Sequence, residues 1–296
     1  MDFAAGRAYY PNMFGSHLSI AGGWHLALLE AQRLGFDTVQ IFTKNQQQWV
    51  AKPMDPAAVA EFKQVRAAWD AQRPACPLVA HDSYLINLAT TDPELRAKSM
   101  QAFAIECARC DALGIEYLVT HPGSHGGAGE ADGLARVAAA LNEILAHPYR
   151  VRVCLETTAG QGSSLGWRFE HLATLLEAVR YPLATCFDTA HVLAAGYDLT
   201  HPEATEATLA EYDRLVGLKN IAVFHLNDSR KPLGSRVDRH EHIGRGCVGL
   251  GAFEVIVNHP QFRQVPKILE TAKEKDPTGQ EWDALNLATL KRLQLG

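Results

Sequence analysis

In LATCFDTAH, residues 183–191, a short apolar run ends on Asp188, and His191 follows three residues later. At that spacing two side chains share one face of an opening helix. The stretch therefore reads as a buried strand that hands over to a helix with polar groups at the junction. The same pattern of apolar run, polar loop and helical segment recurs along the chain. The runs are MFGSHLS, TVQIFTKN, LVAHDSYL, YLVTHPGS, VRVCLETT, LATCFDTAH, IAVFHLND and PKILETAK. Between them, GGWHLALLEAQRLGF, DPELRAKSMQAFAIECARCDALG, GLARVAAALNEILA, FEHLATLLEAV, EATLAEYDRLVGL and GAFEVIVNH read as helices. The second of these opens on Asp-Pro, a good cap and first-turn pair, and closes on Gly114. Strands alternating with helices pair in parallel through right-handed crossovers. About eight such units in a chain of 296 residues predict a closed (β/α)8 TIM barrel. An open doubly wound sheet is disfavoured, because no Gly-rich phosphate turn follows the first run.

No low-complexity segment, linker or shift in composition marks a boundary, so a single domain over residues 1–296 is expected. The apolar fraction of 47% and charged fraction of 21% are those of an ordinary globular chain. The six cysteines include one CxxC, Cys107 and Cys110, inside a predicted helix and without a second pair, which reads as two helical thiols. The opening MDFAAGRAYYPNM lacks a basic region followed by an apolar one, so no signal peptide is expected. No apolar run is long enough for a membrane span. A soluble, reduced, cytoplasmic protein is the expectation, with Asn227-Asp228-Ser229 then idle as a glycosylation sequon.

In a parallel barrel the C-terminal ends of the strands converge on one mouth. The runs end in His17, Lys44-Asn45, His81-Asp82, His121, Glu156, Asp188 with His191, His225 and Glu270. Many buried polar groups each finding a separate partner is a costly arrangement, and one shared partner is simpler. Imidazoles mixed with carboxylates, without cysteine, suit zinc, manganese or ferrous iron. His225 is followed by a loop in which Asp238 and His240 are two apart. If extended, such a pair points to one side and can chelate one ion. The nine side chains His81, His121, Glu156, Asp188, His191, His225, Asp238, His240 and Glu270 are too many for one tetrahedral ion. They suggest two or three.

HDSYLINL, HPGSH, LETTAGQGSSLG, FDTAHVLAAGYDL, HLNDSRKPLGSRVDRHEHIGRG and ILET together resemble the endonuclease IV family of apurinic/apyrimidinic DNA-repair enzymes. The resemblance runs in order from GSHLS to ILET, essentially the whole chain. It implies a TIM barrel with three zinc ions at its mouth. His81 and His121 would hold the first, with Glu156 bridging to a second completed by Asp188, His225 and Glu270. His191, Asp238 and His240 would hold the third. The implied activity is hydrolysis of the phosphodiester 5′ to an abasic site in double-stranded DNA by metal-activated hydroxide, with clearance of blocked 3′ ends. Glu156, Asp188 and Glu270 are the expected catalytic carboxylates, and a monomer is expected. The net charge of −5 speaks against nucleic acid, but three zinc ions would bring it to about +1, focused at the mouth.

Tyr84 and Leu85 match family residues that push into the helix at the lesion, a known mode of recognition. Some members carry Arg where this chain has Gln47, so here the charge and planar fork are missing. Arg236 and Arg239 are candidate phosphate contacts. Two other readings use the same residues. One is a TIM-barrel sugar isomerase or epimerase with two divalent ions, which has no need for His191, Asp238 and His240 together. The other is a DNA-binding module with structural zinc, though such sites are usually closed and cysteine-rich.

Overall fold

The computed structural model describes residues 12–73 and 76–295. The opening stretch on which the signal-peptide expectation rests lies largely outside them. Eight parallel strands close into a barrel. They are β1 (Met13–His17), β2 (Thr38–Phe42), β3 (Val79–His81), β4 (Tyr117–Thr120), β5 (Arg152–Glu156), β6 (Ala184–Asp188), β7 (Ile221–His225) and β10 (Pro266–Leu269). Each strand pairs with its neighbours in chain order, and β10 closes the ring onto β1. Each of the eight lies in a predicted run. Two further strands of two residues, β8 (Asp228–Ser229) and β9 (His240–Glu241), form an antiparallel ladder outside the barrel.

The helices are α1 (Trp24–Leu34), α2 (Pro56–Gln72), α3 (Pro93–Leu113), α4 (Glu130–Ile144), α5 (Phe169–Ala178), α6 (Thr189–Ala195), α7 (Pro202–Leu215), α8 (Leu250–Asn258) and α9 (Trp282–Arg292). Asp92 caps α3 by accepting from the backbone N–H of Glu94 and Leu95, and Gly114 ends it in the left-handed conformation. Cys107 and Cys110 are buried in that helix and unpaired, as the sequence predicts. None of the helices is long and apolar enough to cross a membrane.

The sequence pattern does not predict helices α2 and α9, and the reason is visible in what they bury. Of the α2 residues only Phe62 and Trp69 are buried, a seam too sparse to read as a periodic face. α9 turns Asp283 and Asn286 inward beside Leu287 and Leu290, so its buried face is half polar. α7 starts before the predicted stretch, at His201-Pro202, where the His201 ring accepts from the N–H of Ala204.

The barrel interior is filled by Val79, Val119, Cys154, Ala184, Cys186, Val223 and Ile268. This plug is the floor beneath the mouth. A second, larger apolar layer lies between the strands and the helices and includes Phe103, Leu141, Phe187 and Phe253. Gly15 on β1 is a tight crossing of the wall. A Cβ there would fall 2.7 Å from both the Cγ2 and the carbonyl oxygen of Thr38 and 2.8 Å from Ile268. Gly15→Ala is expected to destabilise the barrel by about 1–3 kcal/mol through overpacking. The urea midpoint should drop with an unchanged circular dichroism spectrum, and an unmoved midpoint would mean the wall relaxes freely.

Candidate metal centre at the barrel mouth

All nine candidate ligands meet at the C-terminal mouth. Glu156, at the end of β5, is fully buried and central. Its Oε1 faces His225 Nδ1 at 2.9 Å and His191 Nδ1 at 3.2 Å. Its Oε2 faces His81 Nε2 and His121 Nε2, both at 3.1 Å. Four imidazoles thus surround one carboxylate, two on each oxygen. Glu270 Oε2 approaches the same His225 nitrogen at 3.1 Å, and Asp188 Oδ2 lies 3.8 Å from it. At the other end, His191 Nε2 lies 3.2 Å from Asp238, and His240 Nε2 lies 3.4 Å from the same carboxylate and 3.7 Å from Asp188. Beside a grouping of Cys186 with Glu156 and His225, three groupings drawn wholly from the nine candidates have ligand atoms within 4.8 Å of one another. They are His81 with His121 and Glu156; Glu156 with Asp188, His225 and Glu270; and Asp188 with His191 and His240. Asp238 joins the third by its contacts with both imidazoles.

The electrostatics follow from burial opposed by partners. Burial alone would pull the His81 ring down, but Glu156 overrides it and holds the ring up at about 9. Burial would likewise raise Glu156 and Glu270, yet the His225 ring keeps both well below the usual carboxylate range. Asp238, partly desolvated, is held down at about 2 by His191. Three carboxylates are therefore favoured in the charged form, Glu156 fully buried and Asp238 at the solvent edge of the site.

These residues fit divalent metal, and the imidazole orientations supply the test. A carbonyl oxygen can only accept, so the rings beside carbonyls must present N–H on that side. His81 Nδ1 lies 2.9 Å from the Asp82 carbonyl and His191 Nδ1 2.8 Å from that of Thr157. Each ring then turns its Nε2 toward Glu156 or Asp238. Gln40 does the same for His225. Its amide nitrogen donates to Glu270 at 2.6 Å, so its oxygen faces outward and takes the Nε2–H of His225 at 2.8 Å. The other His225 nitrogen, Nδ1, points at three carboxylates. Tying one ring nitrogen to fix the other is how metal-binding histidines are commonly oriented. His240 Nε2 is buried with no hydrogen-bond partner among the described residues, a donor atom aimed into the cluster.

Supporting groups that the sequence reading passed over are now visible. Gln40 is a fully buried polar residue inside the strand run TVQIF, a signal that was legible in principle. Asn227 donates to Asp188 at 2.7 Å and accepts from the backbone N–H of Glu270 at 2.8 Å, locking two ligands to each other. Asp228, also fully buried, accepts from the backbone N–H of Ser229 (2.8 Å), Gly246 (3.0 Å) and Val248 (2.8 Å). It thereby ties the β8–β9 arm, which carries Asp238 and His240, to the segment behind it. Gln161 accepts from the N–H of Asp238 at 3.1 Å.

Other candidates fall at differing depths. His17 reaches the centre, 3.3 Å from Glu270. His125 does not, and instead accepts from the N–H of Gly129. Lys44, a strand-end residue, is buried and turned away, with Nζ 3.6 Å from Glu106 and donating to the Gln48 carbonyl. Tyr84 is 61% exposed, with its ring beside His81 and His121, and Leu85 is half-buried next to it. Gln47 is exposed on the loop after β2, and Arg236 and Arg239 lie on the arm. Beside the cluster opens a cleft of about 260 Å³ lined by Asn87, Ser124, Gln161, Ser164, His191 and Asp238 among others.

A family model described as a xylose isomerase-like TIM barrel matches residues 28–291. A Chloroflexus aurantiacus protein described as probable endonuclease 4 is 51% identical over 288 residues, covering 96% of this chain and 98% of that one. The crystal structure of endonuclease IV from Thermus thermophilus superposes with a TM-score of 0.81 at 37% identity, covering 95% of this chain and 98% of that one. This chain belongs to the endonuclease IV family. A D-tagatose 3-epimerase-like protein also superposes, with a TM-score of 0.70 over 95% of this chain and 96% of that one, but at 19% identity the likeness is one of fold.

In this endonuclease IV family member the arm should depend on Asp228. Asp228→Ala would leave three backbone N–H groups without an acceptor, each worth about 1–3 kcal/mol. The segment 228–248 is expected to become protease-sensitive while the barrel stays folded. Unchanged cleavage kinetics would show that other contacts hold the arm.

Proposed function

We propose that this chain is a DNA-repair endonuclease that cuts the phosphodiester 5′ to abasic sites in double-stranded DNA, leaving a 3′-hydroxyl and a 5′-deoxyribose phosphate, and that it clears blocked 3′ ends. The observation that carries this reading is Glu156 between four imidazoles, one of which, His191, also reaches Asp238 beside His240. Membership of the endonuclease IV family supports it. The proposed partition gives one zinc to His81, His121 and Glu156, a second to Glu156, Asp188, His225 and Glu270, and a third to His191, Asp238 and His240. When bound, such ions supply Lewis acidity that makes water a nucleophile near neutral pH and neutralise charge on the phosphate.

The chain's own residues do the positioning. Glu156 and Asp188 hold the groups about which the reaction turns. Glu270, pinned by Gln40 and His17, is the carboxylate that orients the attacking water. Tyr84, Leu85 and Gln47 stand where an opened base stack would meet the mouth, with Tyr84 the exposed aromatic among them. The whole chain acts as one catalytic unit in this reading.

A labelled duplex with one synthetic abasic site tests it. The expected product is a nick 5′ to the site with a 3′-hydroxyl, lost after prolonged chelation and restored by zinc. No nick from a folded, fully metallated sample would overturn the reading and turn attention to ketose and aldose substrates. Glu270→Gln should keep DNA binding and lower nicking by on the order of 10²–10⁴. Turnover near that of the unaltered protein would remove Glu270 from its assigned role.

A further inference from the structure

Arg236 is the single non-glycine residue with a positive φ (54°) among the described residues. A side chain is held in that region only where its surroundings over-determine it. Here the loop is docked on the last turn of α6. The N–H of Gly234 donates to the Leu193 carbonyl at 3.0 Å and that of Arg236 to the Ala194 carbonyl at 2.9 Å. The first turn of the same helix carries His191, and Asp188 caps it. The arm is thus pinned to the element that supplies two candidate ligands.

The side chain is held as firmly as the backbone. Its guanidinium carbon lies 4.0 Å from the centre of the Trp167 ring. That indole is itself fixed, with Nε1 donating to Glu130 at 3.0 Å. It is also backed by Gly160, where a Cβ would fall 3.0 Å from Trp167 Cβ and Cγ. Gly160 and Asp238 both line the cleft beside the cluster, so the two loops that carry the stacked pair border it. Two neighbouring arginines are neutralised, whereas Arg239 donates only to the Asp238 carbonyl. Arg168 pairs with Glu130 and Glu170 at 3.8 and 3.5 Å, and Arg230 with Glu241 at 3.0 Å. Among the described residues Arg236 makes no ion pair and no side-chain hydrogen bond, although the chain carries a net charge of −5.

We propose that Arg236, stacked on Trp167, is a preset anchor for a backbone phosphate adjacent to the one that is cut. The inference rests on the nuclease reading and deepens it. A guanidinium whose carbon sits over an indole, with no carboxylate partner, keeps N–H groups available, and its edge can match two phosphate oxygens. A side chain already held in place loses little freedom when the phosphate arrives. Arg236 is two residues from Asp238, and two residues of extended chain span about 7 Å at most. On this proposal the phosphate it takes is a neighbour of the one at the cluster. Such a contact sets register along the strand and carries no sequence information. Trp167 acts through Arg236 and is a positioning residue.

The test is the salt dependence of kcat/KM for nicking the abasic duplex between about 50 and 200 mM salt. Arg236→Gln should lower the slope of log(kcat/KM) against log[salt] by about one, the signature of one lost phosphate contact. It should also cost about tenfold in kcat/KM at the low end of the range, falling more on KM than on kcat. Trp167→Ala should reproduce part of that loss, and Trp167→Phe should restore it. Thermal melting of each variant checks that the fold is kept. An unchanged slope in Arg236→Gln overturns the phosphate contact. A lowered slope there with unaltered behaviour in Trp167→Ala overturns the stacking platform. If the unaltered protein does not nick abasic DNA, the nuclease reading fails on its own. The same slopes are then read from equilibrium binding of an undamaged duplex of equal length, where the outcomes keep their meaning.

Discussion

Glu156 carries a full negative charge on the floor of the barrel mouth, out of contact with water. Burying such a charge is expensive unless opposite charge or strong donors surround it. Four imidazoles do so, and His81, His191 and His225 are constrained in turn, by a carbonyl, by Gln40 or by another carboxylate. The cluster is therefore one coupled object, and removing a single member leaves the others miscompensated. Only a scaffold that fixes several strand ends to within a fraction of an ångström can hold it. The parallel barrel does this because every strand is hydrogen-bonded on both edges and has the apolar plug directly beneath.

The barrel alone positions only part of the centre. His81, Glu156, Asp188 and His225 are themselves strand-terminal residues, and His121 and Glu270 each follow a strand end by one position. Asp238 and His240 belong to an arm whose own ladder is two residues long on each side. Such an arm cannot be stable by itself. It is held by Asp228 at its base, by Gln161 across the cleft and by the α6 carbonyls under Gly234 and Arg236. A loop rich in His, Asp and Arg is ordered here by main-chain hydrogen bonds, which leave its side chains available for chemistry.

The barrel and the convergence of the nine candidate ligands were legible in the sequence for the same reason. Short apolar runs ending in His, Asp or Glu carry both the strand and its functional terminus, so one pattern reports two things. Asp92-Pro93 and Gly114 likewise bracket α3 because capping is local. What escaped notice depends on partners remote in sequence. Gln40 looks like an ordinary polar position in a strand until β7 and β10 bring His225 and Glu270 to it, 185 and 230 residues away. Lys44 sits at a strand end like the ligands, yet Glu106 on α3 draws it away from the mouth. α2 and α9 were missed because a sparse seam in one and an inward polar face in the other break the helical period. Asp55-Pro56 before α2 carries the same capping signal as Asp92-Pro93, with Asp55 accepting from the N–H of Ala57, and the wide spacing of Phe62 and Trp69 obscured it.

A barrel of this kind says little about chemistry, since the epimerase-like protein shares it at a TM-score of 0.70. Discrimination has to reside in what is added to the strand ends. Interconverting sugars by moving a proton calls for polarising one carbonyl or hydroxyl pair, and carboxylates and imidazoles on the strand ends suffice for that. Breaking a phosphodiester spreads negative charge over non-bridging oxygens and a leaving oxygen at once. On the proposed reading, that wider distribution is what His191, Asp238 and His240 answer, from a loop beyond the barrel proper. The same logic accounts for the acidic surface. On that reading, a protein whose bound cations concentrate positive charge at one deep point, with the unpaired guanidinium of Arg236 on the arm beside it, has no need of a basic skin to meet an anionic polymer. It gains selectivity for the one phosphate that can reach the bottom.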